Sequence, residues 1–372
     1  MRQQDPLILG AGPAGCAAAI VLARGGAQPL LLDRAQTVGD PLCGGFLSWR
    51  TVEQLRALDV DPLALGAHPV TQLRLFAAGR EATAPLPHPA CGLSRHALDT
   101  ALRQVAQAAG ARLVFDHITA IEPGVAHGKA QDWPSESLFL ASGKHDIRGT
   151  ARPRHSDDPA LGLRLRLPAT TKRRDLLTDA IELHLFARGY AGIVLQEDGT
   201  ANVCLALRKS ALAEAGGSPQ ALLARLAAQE PALSHRLGDD WNTARVESIG
   251  AVPYGWIARD TAPGLFRLGD QAAVIPSLAG EGISIALASG HMAAAHWLDH
   301  GPEGAPLYQQ AFARKARRPV AVARLARTLA ESPRAATLAA LAARYAPQAI
   351  HALASLSRIA APPPLAQPAR PA

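Results

Sequence analysis

Aromatic residues make up only 4% of this 372-residue chain, and it has just two methionines. Without large rings, alanine and leucine must fill the core, which calls for close approach of backbones. Cysteine is scarce too. Cys16, Cys43, Cys91 and Cys204 are far apart and form no C-x-x-C pair, which excludes a disulfide framework and a zinc site of paired thiolates. No cluster at metal-ligand spacing and no Ser-His-Asp grouping stands out, so no metal is expected. No apolar run reaches about 18 residues, the length of a spanning helix. Met1 to Asp5 pass straight into an apolar strand, so no leader is expected. A cytoplasmic enzyme is the resulting expectation.

The hydrophobic share of 48% is that of a folded protein. The length is large for one core and predicts two lobes. The formal net charge of +7 permits anionic partners. Much of the arginine sits late, at Arg314, Arg317, Arg318, Arg324, Arg327 and Arg334, beside Lys315. No nucleic-acid motif accompanies it, so no nucleic-acid partner is expected. A solvated helix face is the simpler reading, and peripheral contact of these helices with a membrane is the alternative.

The most informative stretch is Pro6 to Ala19. A short apolar run ends at Gly10, Gly12 and Gly15, spaced G-x-G-x-x-G, with helix-forming small residues after it. Gly10 allows the tight turn, Gly12 the approach of a pyrophosphate, and Gly15 close packing of helix on strand. Phosphates then meet the free N–H groups of the helix start. Leu30-Leu31-Leu32 forms the next strand, and Asp33 at its end can accept both hydroxyls of an adenosine ribose.

Farther on, Trp49 to Leu58 has helical spacing and Val70 to Leu86 reads as a hairpin. The prolines at 85–89 predict a crossing between lobes. Ser94 caps a helix from Arg95 to Gly110, and Ala111 to Phe115 is a strand. Residues 118–142 form a small sheet that ends in a strand of the first lobe. Strands over 162–167, 181–188, 191–196 and 201–207 make an antiparallel sheet, with a turn at Glu197-Asp198-Gly199. Residues 305–356 are mostly helical, and the proline-rich tail is disordered.

Gly264 to Ala273, then Pro276, then Gly280-Glu281-Gly282-Ile283, form a second motif. Together with the first glycine motif and the Ser94-Arg95 helix start, it resembles the FAD-dependent oxidoreductases of the aromatic-hydroxylase (group A monooxygenase) and geranylgeranyl-reductase-like superfamily. The resemblance implies an α/β fold: a glutathione-reductase-like, Rossmann-type FAD-binding domain with an inserted antiparallel β-sheet substrate domain and C-terminal helices. The implied division is 1–66, 93–155 and 250–300 for FAD, 67–92 and 156–249 for substrate, 301–358 helical, and 359–372 as tail. The implied FAD contacts are Gly10, Gly12, Pro13, Ala14 and Gly15 at the pyrophosphate and Asp33 and Arg34 at the adenosine. Gly44, Gly45 and Arg95 join them, with Gly269, Asp270, Pro276, Gly280, Gly282 and Ile283 at the ribityl and ring end. Glu281 is expected to point outward.

Two features separate the branches of the superfamily. Cys43-Gly44-Gly45 is similar to the C-G-G loop of the geranylgeranyl-reductase-like members, and Cys43 is the catalytic candidate, a proton donor or a packing residue. Ser142 stands where the hydroxylases have an aspartate that supports flavin reduction by a nicotinamide, while Arg148 matches their arginine. The electron source is therefore left open by the sequence, with NADPH or NADH as the candidate donor. His184, Phe186 and Tyr190 on a strand, with Tyr254 and Trp256 before the second motif, are candidates for lining a pocket for a hydrophobic or aromatic small molecule. Lys144 and His145 read as a solvated loop pair. The reaction is expected to be hydroxylation of a phenolic, polyketide or lipid-like compound. The alternatives are reduction of an isoprenoid or polyketide double bond, and flavin binding without turnover.

Overall fold

The computed structural model describes residues 5–153 and 156–360. The chain opens with β1 (Leu7–Leu9), α1 (Pro13–Arg24) and β2 (Leu30–Asp33), the strand-helix-strand unit that the glycine spacing predicts. Then come β3 (Phe46–Leu47), α2 (Trp49–Arg56), β4 (His68–Ala77), β5 (Arg80–Gly92), α3 (Arg95–Ala108) and β6 (Arg112–Phe115). The small insert is β7 (Ile118–Glu122), β8 (Val125–Gly128) and β9 (Asp132–Pro134), after which β10 (Leu138–Leu140) returns to the first sheet. The middle of the chain holds β11 (Ala160–Leu167), α4 (Thr171–Leu177), β12 (Ala180–Phe186), β13 (Gly189–Leu195) and β14 (Ala201–Arg208). Short helices α5 (Lys209–Ala213), α6 (Pro219–Gln229) and α7 (Pro231–Leu237) follow, then β15 (Glu247–Val252) and β16 (Leu265–Arg267). The last elements are α8 (Gly282–His300), α9 (Gly304–Ala330), α10 (Pro333–Tyr345) and α11 (Pro347–Leu356).

Five strands pair in parallel in the order β16-β10-β1-β2-β6. Their residues are apolar on both faces, as a sheet covered on both sides requires. On one side α1 and α8 lie against each other at very short range. A Cβ on Gly290 of α8 would stand 2.3 Å from the Ala14 carbonyl oxygen of α1. Small residues along both helices allow that approach, and their packing forms the largest core.

The second sheet has eight strands, β15-β11-β14-β13-β12-β4-β5-β3. One of its faces packs against α6 and α7, with Leu163, Leu205, Leu222 and Leu233 in the core between them. The opposite face looks toward the nucleotide-binding lobe. Pro85 to Pro89 do not cross between lobes: they lie within β5, and the ladder with β4 accommodates them by a register shift between Val70 and Gln72. A proline within a strand cannot donate to the ladder, and an irregularity is where it fits. Strand β3 and the end of β15 also belong to this sheet, although the sequence division places residues 46–47 and 250–252 with FAD.

The insert β7-β8-β9 is held by one carboxylate. Asp116 accepts N–H groups from His117, Lys129 and Ala130 and the indole N–H of Trp133. These bonds hold its carboxyl below the usual range even though burial pushes it up. At the other end of the chain, Ile359 is fully buried in the main core, so the tail cannot begin at 359. Residues 361–372 lie outside the described part. Among the described residues no helix is long and apolar enough to cross a membrane.

Candidate active site

A cavity of about 970 Å³ lies between the two sheets and under the C-terminal helices. That size suits a cofactor with part of a substrate. Its inner wall is the glycine turn. Gly10 has φ +114, and a Cβ there would strike the Ala141 carbonyl oxygen at 2.5 Å. Gly12 caps α1 without any side-chain bond, and a Cβ on it would meet only the Arg95 guanidinium at 3.6 Å. The first N–H groups of α1 therefore face open space, the arrangement that holds a pyrophosphate. Pro13 and Ala14 line the cavity; Gly15 does not. A Cβ on Gly15 would be 1.9 Å from the Gly10 carbonyl oxygen, so its task is packing.

Asp33 stands at the end of β2. Its carboxylate accepts the Ala11 N–H at 2.8 Å and pairs with Arg103 at 3.1 Å. Arg103 also donates to the Ala11 and Ala35 carbonyls, which ties the turn to the strand. The sequence reading missed Arg103, since an arginine within a helix carries no local signal of such a contact. Arg34 lines the same end of the cavity and lies 3.4 Å from the His145 ring. Arg95 starts α3, pairs with Asp99 at 2.7 Å and faces the cavity. Burial alone would lower its pKa, but the Asp99 charge and hydrogen bond hold it above its ordinary value.

The second motif forms the opposite wall. Gly269 and Asp270 line the cavity. Among the described residues the Asp270 carboxylate has no hydrogen-bond partner, while its backbone carbonyl accepts from Arg152. Gly280 is left-handed at φ +65, and a Cβ on it would strike the Phe46 ring at 2.8 Å. Gly282 and Ile283 begin α8, which has no side-chain cap, and a Cβ on Gly282 would meet nothing within 4 Å. Pro276 does not line the cavity; it sets the bend before Ser277. Bare glycine backbone, two uncapped helix starts and a free carboxylate are what a dinucleotide flavin needs, and the residues fit it.

Glu281 departs from expectation. It is fully buried, not outward, because the turn that opens α8 aims it into the core. It accepts from Ser48 at 2.5 Å and pairs with Arg358 at 3.0 Å. Arg358 lies over the Trp49 ring and donates to the Ala279 carbonyl. Burial raises the Glu281 pKa and lowers that of Arg358, so desolvation outweighs their attraction on both sides.

The Cys43 loop is tethered from three directions. Asn202 of β14 donates to the Cys43 and Gly44 carbonyls at 3.0 and 2.8 Å. Lys144 donates to the Leu42 carbonyl at 2.9 Å, so it is part of the cavity wall and not a solvated loop residue. Buried Arg164 of β11 pairs with Asp40 at 3.0 Å. Cys43, Gly44 and Gly45 all line the cavity. Cys204 lines it too, and burial pushes its thiol up to about 12. Ser142 donates to the His145 carbonyl at 2.7 Å, and Arg148 is exposed.

The candidates on β12 and β13 divide. His184 and Phe186 do not line the cavity and are corrected to the far face of the sheet. His184 is stacked on Phe76 at 4.4 Å and bonded to Glu182 at 3.1 Å; Phe186 lies in the core beneath α6. Their neighbours Ile181, Leu183 and Leu185 line the cavity instead. The reason is a turn. β12 ends at Phe186, Arg188 is left-handed at φ 64, and β13 begins at Gly189, so Tyr190 pairs with Leu185 and shares its face. Tyr190 and Tyr254 both line the cavity, and both hydroxyls lie against Ser277, at 2.5 and 2.9 Å. Trp256 packs instead with Val252 and Val274.

Residues 3–123 match the family described as FAD binding domain. The menaquinone reductase of Mycobacterium tuberculosis is 28% identical over 320 residues, covering 78% of this chain and 75% of that one. The menaquinone reductase of Mycolicibacterium smegmatis is 26% identical over the same length. Among solved structures, a flavin-dependent brominase has a TM-score of 0.75 at 17% identity and covers 96% of this chain and 94% of its own. A geranylgeranyl bacteriochlorophyll reductase-like protein from Thermoplasma acidophilum has 0.71 at 20%, covering 95% and 98%. The structural likenesses speak for the fold, and the sequence matches for a flavin enzyme. The chain is an FAD-dependent oxidoreductase, similar in sequence to the mycobacterial menaquinone reductases and in fold to the brominase and the reductase-like protein.

Proposed function

We propose that the protein uses FAD to reduce a carbon–carbon double bond of an apolar, isoprenoid-type molecule, with NADPH or NADH as electron source. The observation that carries this reading is the reach of the cavity. Beyond the glycine walls it continues past Leu75, Leu183 and Leu185 to Ala339, Ile350 and Leu353 of the C-terminal helices. A simple phenol has no use for so long an apolar wall; a prenyl chain does. The relatives named menaquinone reductases support a prenylated quinone or a lipid of similar chemistry. Hydroxylation therefore takes second place.

When bound, FAD supplies the electron pair as hydride. Gly12, Pro13 and the start of α1 hold the pyrophosphate, Asp33 the adenosine ribose and Asp270 the ribityl hydroxyls. The N–H groups of Gly282 and Ile283 favour negative charge at the pyrimidine edge of the ring. Cys43 holds the proton delivered from Sγ to the carbon that does not receive hydride. Asn202, Lys144 and Arg164 keep its loop in place. Tyr190, Ser277 and Tyr254 bind the polar end of the substrate. Burial raises both tyrosines, so they remain donors at neutral pH.

The test is anaerobic turnover of a prenylated quinone or prenol by the flavin-loaded, chemically reduced protein, read by mass spectrometry. A product heavier by two hydrogens is expected, with the added pair located in the prenyl chain by fragmentation and retained after any quinol is reoxidised. Substrate-dependent oxygen uptake and a product heavier by one oxygen would overturn the reading in favour of hydroxylation.

A further inference from the structure

We infer that the exposed side of α9, α10 and α11 is a docking surface for an anionic lipid bilayer, from which the substrate enters the cavity. The inference rests on the proposed apolar substrate for its purpose, though not for its test.

Three observations carry it. The first is charge. Residues 304–360 hold nine arginines and lysines against a single acid, Glu331, while the rest of the chain is close to balance. Glu331 is itself occupied by Arg208 and Arg327. Arg327 and Arg358 are taken up by ion pairs with Glu331 and Glu281, and the other seven cations give these helices a positive surface that complements acidic headgroups.

The second is exposed apolar surface. Among the described residues eight large hydrophobic side chains are exposed, and five of them lie between positions 325 and 356: Leu325, Leu329, Leu338, Tyr345 and Leu356. Helix α10 shows the division. Ala336, Ala340 and Ala343 face the core, while Leu338 and Tyr345 face outward beside Arg334 and Arg344. A helix with leucine and tyrosine among arginines on its outer side suits the headgroup boundary of a bilayer. Nucleic acid would use the arginines and leave the leucines without a role.

The third is position. Leu329 is 44% exposed, and it also lines the cavity, together with Ala326, Ala330, Ala339 and Ile350 of the same three helices. The apolar patch therefore sits at the outer end of the cavity. A prenyl chain leaving a bilayer at that point would meet apolar wall all the way to Leu185.

The full-length, flavin-loaded protein is sedimented with sucrose-filled vesicles of phosphatidylglycerol and phosphatidylcholine, and with vesicles of phosphatidylcholine alone. Binding to the acidic vesicles is expected, at least tenfold stronger than to neutral ones and weakening with salt. The triple variant Leu325→Ser, Leu338→Ser, Tyr345→Ser should lose at least tenfold in binding while keeping its flavin spectrum and its turnover of a short, water-soluble prenyl substrate. Arg334→Glu with Arg344→Glu, which leaves every apolar residue in place, should lose the preference for acidic lipid. Wild type that does not sediment, or variants that sediment like wild type, would overturn the inference. So would a shift from dimer to monomer in the serine variant, which would make this face an interface between copies, or binding to RNA in preference to vesicles. Because sedimentation needs no turnover, a failure of the proposed reaction leaves this result readable.

Discussion

Asp270 and Cys43 both line the cavity, and each can be removed singly to test the task proposed for it. The Asp270 carboxylate is free to accept from ribityl hydroxyls, and a hydrogen bond to a charged group contributes about 1.5–3 kcal/mol. Asp270→Ala should weaken FAD binding by about tenfold or more with the fold retained, as read by titrating apoprotein with FAD. Cys43→Ser keeps the size of the side chain but raises its pKa. Proton donors of suitable pKa contribute about 10²–10⁴-fold. Turnover should fall within that range while reduction of the flavin by the proposed nicotinamide donor, or by dithionite, keeps its stopped-flow rate. Unchanged turnover would remove Cys43 from the chemistry and leave it as a packing residue. Glu281 gives a pH signature. Burial raises its pKa in the folded state above the ordinary 4.5. An acid raised on folding binds more protons in the native state, so its contribution is full below about 4.5 and is lost as pH rises through the raised value. Glu281→Gln lacks this titration. Denaturant unfolding at pH 4 to 8 should show wild type losing ground to the variant as pH increases across that window.

At the scale of elements, the contact between α1 and α8 is decisive. Both helix starts line the cavity that would hold the flavin, so their separation sets its width. A Cβ on Gly290 would stand 2.3 Å from the Ala14 carbonyl oxygen, and backbone cannot rotate aside as a side chain can. Gly290→Ala should cost about 1–3 kcal/mol, the usual range for overpacking, and should weaken FAD binding as well, because α8 must shift. Urea unfolding and FAD titration on the same variant separate the two effects. Stability lost with full FAD affinity would show that the two helix starts are not coupled.

For the whole molecule, the flavin-binding lobe and the eight-stranded sheet are tied around the cavity. Ser94 donates from both its N–H and its hydroxyl to Glu197, and Arg164 reaches from β11 to Asp40. A ligand lying between the lobes should therefore stabilise them together. FAD at a hundred times its dissociation constant should add about 2.7 kcal/mol to unfolding, while FMN, which lacks the adenosine that Asp33 would hold, should add far less. Thermal unfolding with each flavin checks this, and equal shifts would contradict the assignment of Asp33.

The strand-helix-strand unit and both glycine motifs were legible in the sequence because their information is local. Gly10 needs φ +114, Gly280 needs φ +65, and Gly15 has its neighbour only five residues away. The residues of the eight-stranded sheet that face the cavity were not legible. Period-two alternation identifies which residues share a face, but which face is inward depends on the partner. Because Arg188 turns the chain between Phe186 and Tyr190, the alternation does not carry across the hairpin. Glu281 and Arg358 are 77 positions apart, and nothing near either one announces the other. Asn202, Lys144 and Arg164 hold the Cys43 loop from distant parts of the chain for the same reason. The sequence by itself determined the nucleotide-binding unit and its cofactor class, through backbone geometry that only glycine permits and a helix start left without a side-chain cap. Tertiary structure alone decided the shape of the substrate cavity, the burial of Glu281 and the placement of Cys43, because each depends on which surfaces meet, and that is settled only when the whole chain has folded.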